Sequence, residues 1–81
     1  MLQVTVMPDG DRWKVRHNFY NKFYPARGEA LLAAVDIAHA AAQLHNDAEV
    51  VMHEPGGDHV VVWLAGRDPY PPPDSLLAEP D

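Results

Sequence analysis

The dipeptide Asp9-Gly10, set between two runs of alternating apolar and polar residues, constrains this chain more than any other feature. A type I′ turn needs positive φ at both central residues, which Asp and Gly accept, so the pair reads as the closure of a tight β-hairpin. With Asp9 and Gly10 at the centre, Pro8 faces Asp11, Val6 faces Trp13, Val4 faces Val15 and Leu2 faces His17. That side is the core face, with Trp13 as its anchor. On the other side Met7 faces Arg12, Thr5 faces Lys14 and Gln3 faces Arg16, a polar and basic surface.

The second half repeats the pattern. Residues 49–53 and 59–64 are β-rich runs separated by Glu54-Pro55-Gly56-Gly57-Asp58. With the two glycines at the centre of the turn, Met52 faces Val61 and Val50 faces Trp63, while Val51 with Val62, His53 with Val60 and Glu49 with Leu64 share the opposite side. Both faces of this hairpin are then largely apolar. Between the hairpins, residues 22–24 suit a short extra strand, and Pro25 suits the first position of a helix. Residues 29–45 hold no glycine or proline and are rich in Ala and Leu, so they form a helix that Asn46-Asp47 ends. On a helical wheel Glu29, Asp36, His39 and Gln43 make one narrow polar stripe with Leu32 intruding, and the rest is apolar.

The expected fold is therefore α+β: an antiparallel sheet of two β-hairpins with one long helix on one face, in the order ββαββ with the short strand at 22–24 as an addition. A single helix covers one sheet face only. The other face of the second hairpin, Val51, Val60, Val62 and Leu64, then needs a partner, and a homo-oligomer (dimer or higher) using those residues is expected. Residues 1–66 form the domain, and residues 67–81, with Pro69-Tyr70-Pro71-Pro72-Pro73, read as a flexible proline-rich tail. The alternative for that tail is a cover laid over a neighbouring surface through Tyr70, Leu76 and Leu77.

The residues quoted so far combine into a recognisable pattern. The run from Val4 to Val15 through Pro8, Gly10 and Trp13, the Gly28-Glu29-Ala30 opening of an Ala-rich helix, and Val50-Val51-Met52-His53 before Gly56-Gly57 resemble the small bacterial domain of unknown function numbered 2188. The resemblance spans residues 4–64. The chain departs from that family in carrying Arg12 where a glycine precedes the Trp, and Ala26-Arg27 in place of a Thr-Gln helix opening. What the resemblance implies is a strand-strand-helix-strand-strand domain with no assigned activity.

Composition narrows the chemistry. The 81 residues contain no cysteine, which excludes disulfides and thiolate metal sites, and no apolar run approaches the roughly 20 residues of a membrane helix. The start Met1-Leu2-Gln3-Val4 has no signal-peptide character, so a cytoplasmic protein that does not engage the membrane is expected. Among five histidines, His39 and His45 are six apart on the helix, not the four of an adjacent ligand pair, and His53 with His59 and Glu54 flank a turn; no metal site and no cofactor is expected. Hydroxyl nucleophiles are limited to Thr5 and Ser75, so the chain is not expected to be an enzyme.

The expected function is thus that of a non-catalytic, self-associating protein-interaction module. The alternative is a nucleic-acid-binding accessory protein using Arg12, Lys14, Arg16 and Lys22 with Tyr20 as a stacking ring. A net charge of −6 weighs against that alternative.

Overall fold

The computed structural model describes residues 1–44, 47–54 and 56–78. His45 and Asn46, at the expected end of the helix, Pro55 of the second turn and residues 79–81 of the tail lie outside them. The first hairpin joins β1 (Leu2–Asp9) to β2 (Arg12–His17). Asp9 pairs with Arg12, Met7 with Lys14, Val6 with Val15 and Thr5 with Arg16, so the central turn residues are Gly10 and Asp11, with Gly10 at φ 65°. Each partner has thereby moved two positions from the expected register. Because side chains alternate with period two, a two-residue slip leaves both faces with their expected members, whereas a one-residue slip would exchange them.

Asn18, at φ 48°, turns the chain into β3 (Tyr20–Tyr24), two residues longer than the expected short strand. Pro25 stands ahead of the helix and not at its first position. The N-cap of α1 (Arg27–Gln43) is Ala26, which offers no side-chain acceptor. With that weak start, packing and not capping holds the helix. It then returns the chain so that β4 (Ala48–His53) runs in the same direction as β1, pairing Leu2 with Ala48, Val4 with Val50 and Val6 with Met52. β5 (His59–Leu64) completes a five-stranded sheet in the order β3-β2-β1-β4-β5. The sheet is mixed, not purely antiparallel, and it has five strands where ββαββ has four. The reason is the helix, whose length carries the chain back across the sheet as a parallel connection requires.

One face of the sheet and one face of α1 make the core. Val4, Val6, Val15, Val50, Met52 and Trp63 lie under Ala30, Leu31, Ala34, Val35 and Ala38, all shielded from solvent. The three alanines recur every fourth residue, which aligns them along the helix and lets it sit close to the strands. Each fully buried Val or Leu contributes about 1.5–3 kcal/mol over leaving it exposed. Trp13 does lie on this face, but only half-buried at its margin; the fully buried indole is Trp63, whose Nε1 donates to the Pro69 carbonyl at 2.9 Å.

Residues 67–78 lie along α1. The Tyr70 hydroxyl donates to Asp36 Oδ1 at 2.7 Å and its ring stacks on His39 at 3.7 Å, Pro72 is buried, and the one-turn α2 (Asp74–Leu77) sets Leu76 and Leu77 against the core. Arg27 Nη1 donates to the carbonyls of Leu76 and Ala78. In this geometry the segment meets the helix and the core through Tyr70, Leu76 and Leu77.

The approach is close at Gly28, where a β-carbon would sit 2.5 Å from the Leu77 carbonyl oxygen. An Ala for Gly change in a helix ordinarily stabilises by about 1 kcal/mol. Here Gly28→Ala is expected to give no such gain and to loosen residues 70–78, read as faster amide exchange there. A stabilised variant with unchanged exchange would show that the segment does not rest on the helix.

Candidate binding face

Opposite the helix the sheet is bare. Following the pairings across it, β3 contributes Asn21 and Phe23, β2 contributes Arg12, Lys14 and Arg16, β1 contributes Gln3, Thr5 and Met7, β4 contributes Glu49, Val51 and His53, and β5 contributes His59, Val61 and Leu64. The three cations stand in a row because alternate residues of one strand point the same way, about 6.8 Å apart. Arg12 sits over the ring of Phe23, 3.8 Å from its centroid, and 4.0 Å from Asp9. Among the described residues Lys14 and Arg16 form no ion pair.

Two of the expected nucleic-acid residues are not on this face. Lys22 pairs with Val15 and Tyr20 with His17, so strand alternation turns both toward the helix side, where Lys22 Nζ lies 5.6 Å above the Tyr24 ring. On that side burial, with Tyr20 alongside, pushes the Tyr24 phenol up to about 12. Phe23 takes the place that Tyr20 was expected to fill. The signal for it was present as the period of β3, but without a register for that strand the face of Phe23 was undetermined.

The expected interface residues also divide. Val50 pairs with Trp63 and Val51 with Val61, which leaves Val62 as the extra residue of a β-bulge. The expected register holds on the Glu49 and Leu64 side of the bulge and is one residue off beyond it, and a one-residue slip exchanges faces. Val60 is therefore opposite Met52 on the helix side, Val62 packs against the core, and Val51 is already 7% exposed. Leu64 stays on the bare face, joined by Val61 at 43% exposure. Val51, Val60, Val62 and Leu64 do not make one patch, and the apolar surface there is smaller than their sum.

A groove of about 360 Å³ runs along β1 on the bare face. Gln3, Thr5 and Met7 form its floor; Arg16, His17 and Asn18 line one side and His53 the other. Gln3 Nε2 donates to Glu49 Oε1 at 2.9 Å. His17 Nδ1 is shielded from solvent and has no hydrogen-bond partner among the described residues. His53 stacks on His59 with ring centroids 3.7 Å apart. Among the described residues no three His, Asp or Glu side chains gather as metal ligands, and no helix is long and apolar enough to cross a membrane. His39, far from this face, is stacked on Tyr70.

No family model, no curated protein and no solved structure matches the chain.

Burial, and after it the neighbouring His59, lowers the His53 pKa from its ordinary value. The folded chain then binds fewer protons at this ring than the unfolded chain does. The associated stability is complete above the ordinary histidine value, near 6.5, and is lost as pH falls through the lowered one. Melting temperature is expected to drop between pH 7.5 and pH 5, and His53→Gln to flatten that drop. Parallel pH curves for the two proteins would contradict this.

Proposed function

We propose that the chain is a non-catalytic binding module whose working surface is the bare face of its sheet, and that the lane of Arg12, Lys14 and Arg16 beside Phe23 takes a single strand of nucleic acid. The observation that carries this reading is the row of three cations on β2 with an exposed aromatic ring on the adjacent strand, all on one face. Guanidinium and ammonium groups track a phosphate backbone while a ring stacks on a base, and the bare sheet supplies a platform without groove readout of sequence. Thr5 and Ser75, the two hydroxyls available as nucleophiles, lie on opposite sides of the sheet, which supports a role without chemistry. The resemblance to domain 2188, carried by its strand and helix-opening motifs, fits the same reading because it brings no activity with it.

The net charge of −6 and the Asp9 carboxylate beside Arg12 make this a weak binder, while Glu29, Asp36 and Asp74 are on the helix and tail, away from the lane. A second reading is self-association through the same face, favoured by Val61 and Leu64 standing beside Val51. In that case a second copy would occupy the surface that the strand would use.

Fluorescence anisotropy with a labelled oligo-dT separates the two. Binding at low salt is expected, with log K falling against log salt at a slope of about −2 for three single-strand phosphates. Lys14→Glu should abolish it. Absence of low-salt binding, or binding indifferent to both salt and Lys14→Glu, would overturn the strand reading; a dimer by light scattering at the same concentrations would then favour self-association.

A further inference from the structure

We propose that the groove along β1 is a seat for a terminal phosphate, so that the module prefers a nucleic-acid strand ending in a phosphate monoester over one ending in a hydroxyl. The choice of ligand chemistry rests on the strand reading above, but the seat is defined by its own residues. Its volume, about 360 Å³, stands at the small end of ligand sites, which run from about 300 to 1,000 Å³. The lining is rich in donors: the Arg16 guanidinium, the Thr5 hydroxyl, the Asn18 carboxamide and the His53 imidazole. No acidic residue lines it among the described residues; Glu49, beyond Gln3, is held there by the Gln3 amide. A planar guanidinium with two N–H groups matches phosphate geometry better than a lone ammonium does.

The shape of the site selects the end of a strand over its middle. An internal phosphodiester offers two free oxygens, whereas a terminal phosphate offers three, and the donors come from both walls and from the floor. Arg16 belongs both to the cationic lane and to the groove, so a strand lying on the lane has its end next to the seat. His53 supports the wall from the far side, braced by its stack on His59.

The test compares one oligo-dT carrying a 5′-phosphate, a 3′-phosphate or neither, with inorganic phosphate titrated separately and followed by amide chemical shifts. One of the two phosphorylated strands is expected to bind about tenfold more tightly than the unmodified one, the worth of a charge-assisted hydrogen bond. Thr5→Val and His53→Gln should each shrink that ratio toward one. Inorganic phosphate at tens of millimolar should shift the amides of Thr5, Arg16 and His53. Equal binding of all three strands overturns the proposal, as does an absence of shifts with inorganic phosphate. Shifts at those amides with no binding of any oligonucleotide would uphold the anion seat and sink the strand reading instead.

Discussion

The parallel pairing of β1 with β4 is the constraint on which the rest of the molecule depends. It places Val4 and Val6 beside Val50 and Met52 at the centre of the sheet, and these four form the floor on which Leu31 and Val35 of the helix rest. Two hairpins that pack poorly alone become one sheet through this single seam. The helix that makes the connection is also the only long one among the described residues, so it can shield one face and no more. The bare face, with its cationic lane, is a direct consequence.

Much of this was legible in the residues. Strict alternation in β1 and β2 assigns every side chain of those strands to a face, and Arg12, Lys14 and Arg16 lie together as expected because a two-residue shift of the turn leaves alternation intact. The helix follows from the run of alanines and leucines, although its start at Arg27 could not be read, since no capping side chain marks it. The parallel seam was not legible. Hairpin signals are local, whereas the order in which hairpins join depends on contacts nearly fifty positions apart, such as Val4 with Val50. The bulge at Val62 was hidden for a related reason: four successive apolar residues at 60–63 offer no polar position to fix a register. That is why Val60 and Val62 were assigned to the wrong surface.

The tail illustrates how an ambiguous composition resolves in context. Prolines and acids with two leucines fit a loose segment or a strap equally well. The choice rests on partners elsewhere: Asp36 and His39 of the helix stripe for Tyr70, the glycine at 28 that clears space for Leu77, and the Trp63 indole for the Pro69 carbonyl. Through Asp36 and His39 the polar stripe of the helix thus holds Tyr70 of the same chain.

The account's central claim is that the bare sheet face is the surface that works. Mapping amide chemical shifts during titration with a short oligo-dT at low salt tests it most directly. The account predicts perturbations clustered at residues 3–7, 12–16, 21–23 and 51–53, with the amides of 27–43 unmoved. Shifts centred on the helix or on residues 67–78 would contradict it.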